Sequence, residues 1–255
     1  MSDIHSTAII DPSAIIGAGT RIGPYSIIGA GVELGPDCYL HGHVTIAGPT
    51  KIGEGNEFYP YTSIGQRTQD LKYAGEPTYL EIGEHNCFRE FVTVNRATAP
   101  HGKTVVGSHG NFLAYAHIAH DCIVGDHVIF SYNGTLAGHV TVGNYVIIGG
   151  LSAVHQFCRI GEHAMIGGCT KIVQDVPSFM IADGNPAEIR GVNQAGLERR
   201  GFSTEEMKAL REAYKTIYRG ALNTAQAVEA LQQTESKVVQ TLLAFITTSQ
   251  RGIIR

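Results

Sequence analysis

The sequence predicts a mainly β protein: a parallel solenoid of short strands followed by a small C-terminal α-helical domain. Every sixth residue from Ile4 to Ile172 is Ile, Leu, Val or Phe, with three exceptions among 29 positions. The exceptions are Asp70, Glu76 and Pro100. After the repeat ends, the apolar spacing becomes that of amphipathic helices. We therefore expect a repetitive β domain over residues 1–190 and a helical domain over 191–255.

A period of six matches neither the 3.6-residue period of a helix nor the two-residue period of a strand. Four residues after each aliphatic residue stands a small or slim one, and glycine often follows the aliphatic residue directly. We expect these glycines to supply permissive backbone at sharp corners. Cys38, Cys122 and Cys158 occupy the slim positions, which predicts packing roles for their thiols. The pattern resembles the hexapeptide-repeat family, whose chains wind into a left-handed parallel β-helix with three hexads per coil.

Two stretches interrupt the repeat without changing its phase, and they predict loops near 66–81 and 97–104. Long loops on a rigid scaffold often carry function. In the C-terminal part, Ser203-Thr-Glu-Glu206 predicts a helix that begins with a capping box and ends at Gly220. Two further helices are expected at roughly 224–233 and 236–248.

Composition excludes several classes of protein. No apolar run reaches the roughly 18 residues of a membrane span, and the first residues lack the pattern of a signal peptide. We therefore expect a cytoplasmic location, no membrane insertion and no nucleic-acid partner. The five cysteines show no paired spacing, which fits reduced thiols in the cytoplasm. Residues 1–189 carry 9 Lys/Arg against 17 Asp/Glu, and residues 190–255 carry 10 against 6. The basic C-terminal part suggests either an acidic partner or solvated helix faces.

Stacked coils place residues 18 apart above one another, one strand spacing of ~4.8 Å away. One predicted column contains His120, Gly138 and Gln156, and it extends to Gly102 if the second loop preserves the register. The neighbouring column contains Asp121, His139 and Phe157, and His117 and His155 lie beside the two columns. This arrangement predicts either a polar site for a small ligand or a cluster of solvated histidines.

The pair His120-Asp121 suggests a histidine general base oriented by a carboxylate. Gly138 would leave its amide unshielded, as an oxyanion site requires. A base and an oxyanion donor without an evident nucleophile fit direct acyl transfer, in which a substrate hydroxyl attacks a thioester. Stacked glycine pairs at 149–150 and 167–168 suggest a trench for an alkyl chain, or equally tight corners or a close subunit contact.

Several motifs resemble the UDP-N-acetylglucosamine 3-O-acyltransferase family over nearly the whole chain. The motifs are Q-D-L-K-Y-A-G-E-P-T (69–78), H-I-A-H-D-C (117–122), L-A-G-H-V (136–140), A-V-H-Q-F-C (153–158), Q-D-V-P (174–177), G-V-N (191–193) and R-R-G-F (199–202). The resemblance implies a homotrimer with active sites between neighbouring subunits and no cofactor or metal. It also implies transfer of a 3-hydroxyacyl group from acyl carrier protein to the glucosamine 3-hydroxyl of UDP-N-acetylglucosamine, the first step of lipid A synthesis.

The same resemblance implies roles for individual residues. It assigns His120 as the base, Asp121 as its orienting carboxylate and Gly138 as the oxyanion amide. The implied substrate contacts are Asp70, His139 and Gln156 to the sugar, Lys72 and His117 near the phosphates, Asn193 and Arg200 near the nucleotide, and Gly168 as an acyl-length ruler, with Gln69, His155 and Arg199 completing the set. Ala97 and Ala195 depart from the family pattern, which usually has glycine and often glutamate there. The acidic carrier protein would dock on Arg199, Arg200, Lys208, Arg211 and Lys215.

Two related families are alternatives. The γ-class carbonic anhydrases share the β-helix and bind zinc through histidines contributed across a subunit boundary, so His117, His120 and His139 could be ligands of that kind. The separation of three between the first two histidines, the adjacent Asp121 and the helical tail argue against that assignment. The related N-acyltransferase carries a nucleotide domain ahead of its repeats, whereas the hexads here begin at Ile4.

Overall fold

The computed structural model describes residues 3–255 and shows a left-handed parallel β-helix, which confirms the predicted fold class. Short strands stack into three walls of a prism, named A, B and C in the order in which the chain visits them. Wall A is built by Asp3–Ile4, Arg21–Ile22, Tyr39–Leu40, Glu57–Phe58, Cys87–Phe88, Asn111–Phe112, Ile129–Phe130, Ile147–Ile148, Met165–Ile166, Met180–Asp183 and Glu188–Val192. Wall B is built by Ile9–Ile10, Ile27–Ile28, Thr45–Ile46, Ser63–Gln66, Thr93–Asn95, His117–Ile118, Thr135–Leu136, Ala153–Val154 and Lys171–Ile172. Wall C is built by Ile15–Ile16, Val32–Leu34, Thr50–Ile52, Tyr79–Ile82, Lys103–Val106, Ile123–Val124, Thr141–Val142 and Arg159–Ile160.

The six-residue period places one aliphatic or aromatic side chain per strand inside the prism. The phenylalanines at this position on wall A form a buried stack in which Phe88 lies between Phe58 and Phe112, at ring-centroid distances of 5.0 and 4.7 Å. Cys38, Cys122 and Cys158 are also fully buried, so their predicted packing role is confirmed. Each coil thus removes apolar surface from water only by stacking on its neighbours.

Among the described glycines that directly follow an aliphatic residue of the repeat, Gly65 has the expected left-handed backbone, with φ of 73°, but elsewhere the expected reason was wrong. In Leu34-Gly35-Pro36-Asp37, the left-handed backbone conformation belongs to Asp37, with φ of 54°, and not to the glycine. Gly35 is required because the next coil lies against it: an added Cβ would lie 2.5 Å from the carbonyl carbon of Gly53. Close approach of successive coils, rather than backbone permissiveness, selects glycine here.

Two loops leave the prism at the edge between walls B and C, the B–C edge. The first loop, residues 67–78, joins Ser63–Gln66 to Tyr79–Ile82, and the second loop, residues 96–102, joins Thr93–Asn95 to Lys103–Val106. They are the segments where the predicted loops near 66–81 and 97–104 fall.

The C-terminal part contains the helices α1 (Gln194–Arg199), α2 (Thr204–Tyr214), α3 (Thr224–Leu231) and α4 (Lys237–Thr247), with a π-helical turn at Lys215–Arg219. The capping box at Ser203 and Glu206 and the helix end at Gly220 are confirmed. The last wall A strand, Glu188–Val192, crosses residue 190, and the chain end returns to the prism where Ile253 pairs with Asp175. Within residues 3–255, no helix is both long and apolar enough to cross a membrane.

Candidate active site

The predicted catalytic pair lies at the B–C edge, directly after the wall B strand His117–Ile118. His120 is the first residue of the corner, and Asp121 follows in the left-handed conformation with φ of 59°. This bend turns the two neighbouring side chains toward each other, so that Nδ1 of His120 lies 2.8 Å from Oδ2 of Asp121. Only 14% of the His120 side chain and 11% of the Asp121 side chain are exposed. The imidazole is therefore held by a shielded carboxylate, as a general base requires.

Asp121 is fixed by two residues that the sequence reasoning missed. The backbone N–H of Thr98, in the second loop, donates to Asp121 Oδ2 at 2.9 Å. The Asp121 N–H donates to the hydroxyl of Thr104 at 2.9 Å. A regular corner bonds differently, because the His139 N–H donates to the carbonyl oxygen of His120, 19 residues earlier.

The column therefore does not extend regularly to Gly102. The Gly102 carbonyl accepts a hydrogen bond from Tyr79 instead of from the amide of Asp121. An added Cβ at Gly102 would lie 3.3 Å from Oδ1 of Asp121, so this glycine faces the carboxylate. The second loop interrupts the 18-residue register at this point. The Asp121 N–H consequently donates to the side-chain hydroxyl of Thr104 and not to the Gly102 carbonyl.

Gly138 lies one coil further along, against the ring of His120. A Cβ built on Gly138 would lie 2.5 Å from Nε2 of His120, so a side chain here would collide with the imidazole. Among residues 3–255, the Gly138 N–H has no hydrogen-bond acceptor. A free amide beside the imidazole is the arrangement that an oxyanion site needs.

His139 and His117 border the pair on two sides. The ring of His139 stands edge-on to the His120 ring at a ring-centroid distance of 5.2 Å and stacks on the Phe157 ring at 4.6 Å. Nε2 of His139 lies 3.7 Å from Oδ2 of Asp121. His117 is half-buried on wall B, where Nδ1 contacts the Thr93 hydroxyl at 2.7 Å. Burial, and secondarily the nearby His120, lower the pKa of His117, so its ring is neutral near pH 7.

Within one chain, the three histidines named for the zinc alternative do not come together. Within the described chain, the side chains close enough to share a metal ion are His120, Asp121 and His139, whose ligand atoms lie within 4.8 Å of one another. His117 is not in this group. The trio of histidines expected for a γ-class carbonic anhydrase is therefore not assembled in one chain.

The first loop encloses a cleft of about 370 Å³ at the same edge. Gln69 and Asp70 line the cleft, whereas Lys72 is exposed beside it. Oδ1 of Asp70 accepts the backbone N–H of Lys72 at 2.9 Å, which shapes the tip of the loop. Asn95, from the adjacent wall B strand, closes the cleft floor.

Comparisons with known proteins identify the family of the chain. A family model described as Udp N-acetylglucosamine O-acyltransferase, domain 2, matches residues 175–254, and one described as bacterial transferase hexapeptide matches residues 2–36. The chain is 46% identical to LpxA from Acinetobacter baumannii over 99% of both chains, with a TM-score of 0.95. It is equally identical to the UDP-N-acetylglucosamine O-acyltransferase of Moraxella catarrhalis, again over 99% of both chains with a TM-score of 0.95. The Francisella novicida enzyme is 38% identical over 99% of this chain and 94% of the other, with a TM-score of 0.96.

The chain belongs to the UDP-N-acetylglucosamine O-acyltransferase family. In this acyltransferase, the stacked glycine pairs lie at the edge between walls A and B, the A–B edge. A Cβ built on Gly168 would be in ordinary contact with the Gly150 carbonyl oxygen at 3.5 Å, whereas one on Gly150 would lie more tightly against the Tyr132 carbonyl oxygen at 3.3 Å. Wall B separates these glycines from His120.

The exposed residues His155 and Gln156 lie on the same B–C edge as His120, one coil beyond Gly138. The predicted stacking of Gln156 on Gly138 is confirmed, because the next residue, Phe157, donates its N–H to the Gly138 carbonyl. Nδ1 of His155 faces the Gln156 carbonyl at 3.1 Å. The ring is therefore held over its own corner, two coils from His120.

Three predicted substrate contacts lie elsewhere in the acyltransferase, at the edge between walls C and A, the C–A edge. Asn193 caps α1 and donates to the carbonyl of His163 at 2.9 Å. The Arg200 guanidinium covers the ring of Tyr145 at 4.1 Å. Burial, and secondarily Arg200, lower the pKa of His163 to about 4. Together with the exposed Arg199 at the end of α1, this cluster is not brought near His120 within one chain.

Proposed function

We propose that this acyltransferase transfers a 3-hydroxyacyl chain from acyl carrier protein to the 3-hydroxyl of the glucosamine ring of UDP-N-acetylglucosamine, the first step of lipid A biosynthesis. The observation that carries the proposal is the shielded His120–Asp121 pair beside the free amide of Gly138, in a chain of this family. The five free cysteines support a cytoplasmic location for the reaction.

The geometry supports direct attack without a covalent enzyme intermediate. Asp121 accepts a hydrogen bond from the Nδ1–H of His120. The lone pair of Nε2 is then free to take the proton of the sugar hydroxyl. The hydroxyl oxygen bonds to the thioester carbonyl carbon, and the negative charge that develops on the carbonyl oxygen is stabilised by the Gly138 N–H. Collapse of this adduct breaks the carbon–sulfur bond, and the imidazolium returns its proton to the thiolate that leaves.

Wall B offers a surface for the acyl chain between the catalytic pair and the glycine trench. The outward residues there in the two coils nearest Gly138 are Thr135 and Ala153, both small. An extended chain that starts at Gly138 would cross these residues and reach Gly150 and Gly168 at the A–B edge. This path supports the assignment of Gly168 as a wall of the acyl site.

A second copy of the chain would complete the substrate site. The predicted substrate contacts Asn193, Arg199 and Arg200 lie at a different edge from His120, so one chain alone does not present both halves to one ligand. A homotrimer with sites between neighbouring prisms brings different edges together. The acidic carrier protein would dock beside Arg199 and Arg200, together with other basic residues of α2 and its π-helical extension. These residues are Lys208, Arg211 and Lys215.

The decisive assay incubates the purified protein with UDP-N-acetylglucosamine and a panel of 3-hydroxyacyl carrier proteins, with the product read by mass spectrometry. We expect a product heavier by one 3-hydroxyacyl group. His120→Ala should abolish turnover with an almost unchanged melting temperature, because the imidazole, although shielded, is not part of the apolar core of the prism. His85→Ala, at an exposed histidine of the C–A edge, is the matched control and should turn over normally. Absence of product from every donor would refute the proposal.

Mixing two inactive variants tests the shared site. His120→Ala and Arg200→Ala proteins, unfolded together and refolded, should recover about one quarter of wild-type activity, because random assembly gives that share of sites both intact groups. Variants that are refolded separately should stay inactive. Equal inactivity of the mixed and separate samples would show that each chain builds its own site.

A further inference from the structure

A continuous set of hydrogen bonds joins the first loop to the catalytic pair. The Asp70 N–H donates to the hydroxyl of Thr68 at 3.0 Å, and that hydroxyl lies 2.7 Å from the hydroxyl of Thr98 in the second loop. The Thr98 N–H donates to Oδ2 of Asp121 at 2.9 Å, and the same oxygen lies 2.8 Å from Nδ1 of His120. Each separation is within the normal hydrogen-bond range.

We propose that Thr68 and Thr98 are positioning residues that couple occupation of the first-loop cleft to the alignment of His120. This inference rests on the proposed function, in which His120 is the base and the first loop carries the sugar contact Asp70. The two threonines would hold both of them in place. Neither threonine needs to touch substrate. Their contribution is to hold the Asp121 carboxylate where it orients the imidazole.

The surroundings of Thr68 favour such a role. Thr68 is buried, with 4% of its surface exposed, although it belongs to a loop whose neighbours Arg67 and Gln69 are exposed. A buried hydroxyl requires partners, and those of Thr68 are Asp70 on its own loop and Thr98 on the other. The side chain thus binds the two loops to each other rather than filling the prism.

The carboxylate of Asp121 depends on the second loop because the regular stacking is interrupted beneath it. Its backbone N–H is held by the Thr104 hydroxyl, and its Oδ2 by the Thr98 amide. A shift of the second loop would therefore move the carboxylate and, through it, the imidazole. Since transition-state stabilisation depends steeply on the alignment of the base, such a shift should lower kcat more than it changes KM.

The test compares isosteric and conservative variants of the two threonines in the full-length protein. Thr68→Val and Thr98→Val each remove the hydroxyl contact but leave the Thr98 amide in place. Each should lower kcat about five- to tenfold, the effect of one lost hydrogen bond on alignment, with KM for UDP-N-acetylglucosamine changed less than twofold. Thr68→Ser should restore kcat to within about twofold of wild type.

Two further measurements separate coupling from general stability. The double variant Thr68→Val/Thr98→Val should be no slower than Thr68→Val alone, because Thr98→Val removes only the hydroxyl–hydroxyl contact that Thr68→Val has already removed. Thr20→Val is the matched control, because this buried hydroxyl donates to the Gly35 carbonyl at 2.9 Å far from the site, and it should leave kcat unchanged.

The inference is overturned if both valine variants keep wild-type kcat, if the double variant shows the product of the two single effects, or if Thr20→Val slows turnover equally. If one valine variant fails to fold, as judged by its melting curve, the other carries the comparison with wild type. A wild-type protein that forms no acylated sugar would instead remove the proposed function itself.

Discussion

Replacement of Gly138 by alanine tests the geometry of the site most directly. Ala30, His120 and Gln156 occupy the same corner position in other coils, so the backbone at this position accepts a side chain. The obstacle at Gly138 is the imidazole of His120: a new methyl group would lie 2.5 Å from its Nε2. Non-bonded heavy atoms pack at about 3.5–4.0 Å. The ring must therefore move by roughly 1 Å away from the free amide.

A displacement of about 1 Å in a catalytic group costs on the order of 10²-fold in rate, or about 2.7 kcal/mol of barrier. We expect Gly138→Ala to lower kcat by that factor in the carrier-protein assay, with little change in KM for the sugar nucleotide. The melting temperature should not fall by more than a few degrees, because alanine reduces the entropy of the unfolded chain. Gly29→Ala is the control, since its nearest neighbour would be the Ile46 carbonyl oxygen at 3.4 Å. A Gly138→Ala enzyme with kcat within threefold of wild type would refute the proposed contact.

Three further predictions concern stability. Gly35→Ala should reduce the free energy of unfolding by about 1–3 kcal/mol in urea titrations, because its methyl group meets the Gly53 backbone; a loss below about 0.5 kcal/mol would contradict this. Phe112→Ala should cost about 3–5 kcal/mol by opening the stack on wall A, and Phe112→Leu should cost clearly less. Burial lowers the pKa of His163 to about 4, below the ordinary 6.5. The unfolded chain therefore binds more protons between these values, and stability falls as the pH falls through this window. His163→Phe should remove about 1–2 kcal/mol of this pH dependence, after allowance for the partial exposure of the ring, and an unchanged pH profile would contradict it.

The repeat made much of the fold predictable because it relates distant residues by a fixed rule. From Val106 to Ile172 the strands pair at an interval of 18 residues, as Val106 with Val124 and Val124 with Val142 show. The placement of Gly138 against His120, and of His139 against Phe157, follows from that interval alone. The two loops preserved the phase because their extra lengths happen to be multiples of six: Ile82 pairs with Ile52 at 30 residues and with Val106 at 24.

The support of the catalytic carboxylate was not predictable in this way. Thr98 lies in the second loop, where residues do not stack at the 18-residue interval. Thr104 accepts the Asp121 N–H through its side-chain hydroxyl, whereas a regular corner uses a backbone carbonyl. The same limit applies to Asn193 and Arg200, since a helical segment outside the repeat has no stacking rule to place it. The family motifs assigned Asn193, Arg200 and His120 to the same substrate, whereas within one chain the first two lie at the C–A edge and His120 lies at the B–C edge.

The proposed catalytic pair consists of two consecutive residues on one tight corner, so its internal geometry depends on local backbone rather than on the meeting of distant segments. Such a pair could be transplanted to the corner at Ala30 and Gly31, because Gly31 has φ of 68°, in the same left-handed region as Asp121, and the pair would be created by replacing Ala30 with histidine and Gly31 with aspartate. The transplant would lack the neighbouring loop that restrains the acid. The pair itself would require only two substitutions. The difficult step in giving this scaffold a second active corner would be the insertion of a loop that holds the aspartate in place.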